Sequence, residues 1–164
     1  MSILILKFIK DESGMKMKIV IGCDHAGFKL KNEILNMLKG ELEFIDVGTY
    51  NEEPVDYPDI AEKACEFIVK GEVDYGILIC GTGIGMSIVA NKFPGVRAAL
   101  VYSDETAILA KRHNNANVIC LGGRTMKVES SVKWIKLWLN EKFEGNRHQR
   151  RINKISEIEK KKLI

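Results

Sequence analysis

Tyr75-Gly76-Ile77-Leu78-Ile79-Cys80-Gly81-Thr82-Gly83-Ile84-Gly85 is the stretch that decides the fold. Its first six residues form a short apolar run of the kind found in a strand buried on both faces. Glycines 81, 83 and 85 then let the backbone turn tightly, and residues 84–92 follow a helical pattern. A buried strand that passes through a glycine turn into a helix is the repeating unit of parallel α/β sheets. The same alternation recurs on either side. Strands are predicted over residues 18–22, 43–47, 75–80, 97–101 and 118–121, and helices over 27–39, 58–70, 84–92, 104–112, 127–139 and 147–160. The predicted architecture is a three-layer α/β/α sandwich: a Rossmann-like five-stranded parallel sheet between helices, plus a C-terminal helix.

The composition fits that architecture. A chain of 164 residues is one ordinary domain, with 46% hydrophobic and 29% charged residues, the balance of a folded soluble protein. The formal net charge is only +3, and Arg147, Arg150, Arg151, Lys154, Lys160, Lys161 and Lys162 crowd the C-terminal end. Such a run reads first as a solvated helix face, so no nucleic acid is expected as partner, whereas a small anion needs only two or three of the arginines. Cysteines 23, 65, 80 and 120 form neither a CxxC pair nor a zinc-ligand spacing, and are expected as reduced thiols in the cytoplasm. Residues 1–9 hold an apolar run broken by Lys7, with no signal-peptide pattern, and no stretch is long enough to span a membrane. Met15 and Met17 offer later starts, so residues 1–16 are read as an N-terminal extension, 17–160 as the domain and 161–164 as a tail. The alternative for the extension is an extra edge strand over residues 3–9.

In open α/β sheets ligands bind beyond the carboxyl ends of the strands. Asp24-His25, Cys80-Gly81-Thr82 and Gly123-Arg124 follow the first, third and fifth predicted strands. A glycine turn exposes backbone N–H groups in one direction, which favours an anion or a developing oxyanion. A thiol directly before such donors becomes a usable base or nucleophile, and Thr82 is placed to hydrogen-bond it or pass on a hydroxyl proton. The competing reading of Cys80 is a small buried strand-end residue, which suits Cys23, Cys65 and Cys120. Dinucleotide binding, with Asp104 as ribose partner, is a rival for the turn. The glycine spacing is GxGxG rather than GxGxxG, however, and the turn follows the third strand rather than the first. The helix over 127–139 carries Val128, Val132, Trp134, Ile135, Trp138 and Leu139, which fits either a subunit contact or plain packing on the sheet.

Taken together, Gly22-Cys23-Asp24-His25-Ala26-Gly27, Asp56-Tyr57-Pro58, the turn at Cys80, Arg112-His113-Asn114-Asn115-Ala116-Asn117 and Gly145-Asn146-Arg147-His148 resemble the type B ribose-5-phosphate isomerases, from Met17 to about Glu159. The resemblance implies aldose–ketose isomerisation of ribose 5-phosphate and ribulose 5-phosphate through a cis-enediolate, with no metal or organic cofactor. It implies Cys80 as the proton-transferring base, with the N–H groups of Gly81, Gly83, Ile84 and Gly85 at the enediolate oxygen, each such donor being worth about 3 kcal/mol of barrier in comparable sites. His113 would open the furanose ring, a task suited to imidazole, with Asn114 orienting the sugar. Asp24 and His25 would contact the sugar hydroxyls and the substrate's polar end. Arg124, Arg147 and Arg151 would hold the phosphate, for which forked guanidinium groups are well shaped. Tyr57 would line the sugar pocket or simply start its helix. A homodimer or dimer of dimers with sites shared between subunits is implied.

Three alternatives stand beside this reading. Relatives with the same turn act on hexose 6-phosphates such as allose or galactose 6-phosphate, although His113-Asn114 favours the pentose. A non-catalytic nucleotide or anion-binding module accounts for the turn and the arginines but gives Cys80, His113 and Asn114 no common purpose. A thiol redox role lacks a resolving cysteine nearby in sequence.

Overall fold

A computed structural model describes residues 13–161. The alternative edge strand over 3–9, most of the extension, and Lys162 with the last residues of the tail lie outside the described residues. Five strands, β1 (Lys18–Cys23), β2 (Glu43–Asp46), β3 (Tyr75–Cys80), β4 (Ala98–Leu100) and β5 (Val118–Gly122), form one parallel sheet in the order β2-β1-β3-β5-β4. The helices are α1 (Phe28–Met37), α2 (Tyr57–Val69), α3 (Ile84–Ala90), α4 (Asp104–Arg112), α5 (Val128–Asn140) and α6 (Arg147–Lys160). The chain winds outward from β1 to β2, returns across to β3, and the loops after β1 and β3 therefore flank the crevice where the winding reverses.

Both faces of the sheet are covered, which is why β1, β3 and β5 are almost wholly buried and aliphatic. Ile19, Ile21, Ile77, Ile79, Ile119 and Leu121 pack with α1, α4 and α5 on one face. Val20, Leu78, Val118 and Cys120 pack with α2 and α3 on the other. The apolar stripe of α5 is used up in this way: Val132, Ile135, Trp138 and Leu139 are buried on the sheet. Trp138 Nε1 donates to the Ala116 carbonyl at 3.0 Å, and the half-buried Trp134 donates to Asp104 Oδ1, also at 3.0 Å. Packing on the sheet accounts for Trp138, and Trp134 packs partly buried against the same core.

Two boundaries differ from expectation for identifiable reasons. The strand predicted from Arg97 begins at Ala98, because the Arg97 N–H donates to the Asn117 side chain at 2.8 Å instead of joining the ladder. The helix predicted from Gly27 begins at Phe28, because Asp24 first caps a short 3-10 turn over His25–Gly27, its Oδ1 accepting the Gly27 N–H at 3.1 Å. No helix among the described residues is long and apolar enough to cross a membrane.

Behind the loops that follow β1 and β2 lies a buried cation. Lys31, fully enclosed on α1, donates to Asp46 Oδ1 at 2.7 Å, Asp46 Oδ2 at 2.9 Å and the Thr49 carbonyl at 2.6 Å. All three ammonium protons are thereby satisfied, which is what makes burial of the charge tolerable.

Candidate active site

At the carboxyl end of β3 the chain turns through Gly81 to Gly83, and the Gly83 N–H donates to Cys80 Sγ at 3.2 Å. Gly83 sits at φ 82°, in the left-handed region, and a Cβ there would lie 2.7 Å from Leu100 Cδ1. Glycine is required on both counts. A Cβ at Gly85 would lie 2.6 Å from Tyr57 Cζ, so the missing side chain is what lets the Tyr57 ring lie over the turn. Tyr57 thus starts α2 and also walls the turn.

The donors of this turn differ in part from the expected set. The Ile84 N–H donates to Thr82 Oγ1 at 3.3 Å, and Gly83's is spent on the sulfur. The hydrogen bond to Cys80 therefore comes from backbone, while the exposed Thr82 serves the backbone beside it. Burial pushes the thiol of Cys65 up to about 11 and that of Cys120 well above its ordinary value, so these two are inert packing residues. Cys23 is likewise pushed up to about 11 by burial.

Asp24, His25 and Arg124 gather at the same end of the sheet. The Asp24 N–H donates to the Ile79 carbonyl at 3.1 Å, tying the loop after β1 to the strand that ends in Cys80. His25 Nδ1 accepts the Val55 N–H at 3.2 Å, so in the neutral ring the proton is on Nε2, leaving a donor free for a ligand. Arg124 donates its N–H to the Gly81 carbonyl at 3.0 Å and lays its guanidinium beside Gly81. Asp104, the acid a dinucleotide reading needs, is occupied by Lys133 at 2.5 Å and by Trp134.

His113, Asn114, Arg147 and Arg151 lie at the other end. All strands are parallel, so α4 starts where β4 ends and finishes where β5 begins. His113, at the C-cap of α4, is thus at the amino edge of the sheet. The length of β5, five residues or roughly 16 Å, separates it from the edge that carries Cys80. The Glu144 N–H donates to the Arg112 carbonyl at 3.0 Å and brings the start of α6 to the same place. Arg147 and Arg151 are exposed there, one helical turn apart, as is Arg150. The predicted site residues therefore form two groups on opposite edges of one chain.

Two residues without a predicted role join the second group. His148 is buried, and its ring stacks on His113 with centroids 4.1 Å apart and planes inclined by 11°. Glu144 Oε2 lies 3.8 Å from His113 Nε2 and 3.4 Å from His148 Nε2. Burial, then His113 and Arg147, hold His148 below the usual imidazole range. Two imidazoles and a carboxylate within 4.8 Å of one another are a donor set that suits zinc. The in-plane lone pairs of nearly parallel rings do not converge on one point, however, and Arg147 Nε already donates to His148 Nε2 at 3.4 Å. The group is therefore assigned no metal. The sequence signal that could have exposed it is the spacing of Glu144 and His148, four residues apart across the start of α6.

Comparison with known proteins adds four findings. The model of the Ribose/Galactose Isomerase family matches residues 19–155. The chain is 44% identical over 146 residues to ribose-5-phosphate isomerase B of Escherichia coli, covering 88% of this chain and 98% of that protein. Among solved structures, ribose-5-phosphate isomerase B of Clostridium thermocellum superposes with a TM-score of 0.86 at 48% identity, covering 88% of this chain and 98% of that one. The enzyme of Mycoplasma genitalium, solved with bound ribulose-5-phosphate, gives 0.84 at 45% identity, covering 90% and 99%.

Proposed function

The chain belongs to the ribose/galactose isomerase family, and from that membership we propose that it interconverts ribose 5-phosphate and ribulose 5-phosphate through a cis-enediolate. The observation that carries the reading is Cys80 Sγ at the carboxyl end of β3, in the strand that borders the winding crevice, held by the Gly83 N–H. As base, Cys80 takes the proton from the carbon beside the carbonyl and returns it to the neighbouring carbon. The remaining N–H groups of the turn, from Gly81 and Gly85, stabilise the enediolate oxygen. Asp24 and the Nε2–H of His25 receive the sugar hydroxyls and the substrate's polar end, and Tyr57 walls the pocket.

The same reading makes His113 the ring-opening residue, with Asn114 beside it and Arg147 and Arg151 as phosphate ligands. One chain holds these groups too far from Cys80 to share a substrate, so the site is built by two copies, each giving its Cys80 edge to the other's His113 edge. Exposed apolar residues support such an assembly. Ile84 and Ile88 on α3 are more than half exposed, and Ile155 and Ile158 on α6 line a groove of about 770 Å³ along the edge strand β4. Whether two copies or two pairs assemble does not alter the site. Four buried free thiols fit work in the cytoplasm. We read residues 1–16 as an extension ahead of the isomerase domain, a reading supported by a family match that spans residues 19–155.

An isomerase assay over ribose 5-phosphate, allose 6-phosphate and galactose 6-phosphate tests the substrate. The expected outcome is a kcat/KM for ribose 5-phosphate at least about tenfold above either hexose. A reversed order makes the protein a hexose-phosphate isomerase with the same base.

A further inference from the structure

We infer that Glu144 is a positioning residue for His113: its carboxylate, backed by the stacked ring of His148, fixes the imidazole and stabilises the imidazolium formed when His113 takes a proton from the sugar. The inference rests on His113 as the ring-opening residue. In that step the proton of the anomeric hydroxyl passes to the imidazole, the bond from the anomeric carbon to the ring oxygen breaks, and that oxygen takes a proton from water. The imidazolium later returns its proton to solvent, and the balance closes.

The placement follows from backbone and charge. The Glu144 N–H on the Arg112 carbonyl fixes this acid one residue from His113 along α4. Glu141 Oε2 occupies the Arg112 guanidinium at 2.5 Å, and the Glu144 carboxylate lies 3.8 Å from His113 Nε2. The cations of this edge are Arg112, ion-paired to Glu141, on its own helix, Arg147 and Arg151 on α6, and Arg97, whose guanidinium sits on the carbonyls of Asn114 and Asn115 and is also influenced by Glu159. Buried Lys111 turns away to the Tyr75 hydroxyl at 2.7 Å. Arginines gathered for a phosphate disfavour a third cation, and Glu144 supplies the opposing charge.

The stacked partner completes the device. Arg147 Nε donates to His148 Nε2, so in the neutral ring the proton is on Nδ1. His148 is held below the usual imidazole range, which favours the neutral form of the ring beneath His113. A flat neutral surface fixes the plane of the imidazole without repelling the charge it acquires.

Glu144→Gln and Glu144→Asp in the full chain test this, beside wild type and His113→Ala. For Glu144→Gln the expected result is a roughly tenfold fall in kcat on ribose 5-phosphate with KM nearly unchanged, and a rate from open-chain ribulose 5-phosphate within about twofold of wild type. The His113 titration followed by NMR should move down by roughly half a pH unit, with the acid limb of kcat following it, and Glu144→Asp should restore most of both. A titration that does not move, or an equal loss on both sugars, overturns the inference. If His113→Ala spares the cyclic sugar, ring opening by His113 fails as a separate matter. The NMR titration of Glu144→Gln then still decides whether Glu144 holds the imidazole.

Discussion

The two edges of the sheet are built by different means. The Cys80 edge is made of backbone: a glycine turn at the end of a buried strand, a peptide N–H on the sulfur, and an aspartate that caps its own loop. Its geometry is fixed by the sheet itself, and it needs few atoms to be rigid. The His113 edge is made of long side chains on a helix end and a helix start, joined through the Arg112 carbonyl and two stacked rings. On the proposed reading the Cys80 edge carries the base, and carbon-acid chemistry tolerates little misplacement of it, whereas the phosphate and ring-opening roles proposed for the His113 edge call for reach. The division of labour follows the division of material.

The hardest test of this contrast is Cys80→Ala, which should lower isomerisation about a thousandfold or more on either sugar while leaving the melting temperature and phosphate binding near wild type. A variant that turns over at a near-normal rate removes Cys80 as the base. Next, mixing Cys80→Ala with His113→Ala subunits and letting them exchange should restore roughly a quarter of wild-type activity on ribose 5-phosphate, since half the pairs are mixed and each has one intact site. Recovery of none would place both edges in the service of separate sites. His113→Ala alone should cost roughly tenfold to a hundredfold on the cyclic sugar and much less on the open-chain ketose, measured in both directions of the reaction. Equal losses would move His113 from ring opening to binding.

The smallest effect concerns pH. His148 titrates lower in the folded protein than its ordinary 6.5, so between those two values the unfolded chain binds the extra proton. Its contribution to stability is complete above pH 6.5 and is lost as pH falls through the folded value. The melting temperature should therefore decline on acidification below that point, and His148→Gln should flatten that part of the curve. An identical curve for the variant would show that the stacked pair is not linked to folding.

Much of this was readable from sequence, and the limits have physical causes. Helices α4 and α6 fall on their predicted residues because capping and periodicity are local properties. The Cys80 turn was readable for the same reason, since its sulfur, donors and glycines are consecutive. The start of β4 and the 3-10 turn before α1 were not, because side chains of Asn117 and Asp24 took backbone donors that periodicity assigns to strand or helix. Resemblance supplied the roles of both groups, but only the polarity of a parallel sheet shows that they lie on opposite edges of one chain. Lys31 is not legible because its partners Asp46 and Thr49 come from other elements, where no spacing rule reaches, and Glu144 is marked only by its four-residue spacing to His148.

Lys31 also has a meaning for anyone who would reshape the protein. Its ammonium fastens Asp46 and Thr49, so the chain cannot be lengthened up to that point without stranding a dehydrated charge. From Tyr50 to Pro54 the residues are exposed, and the next anchor is the Val55 N–H on His25. That short exposed span, clamped at both ends and bordering the Cys80 edge, is the natural graft point for loops that would change which sugar enters.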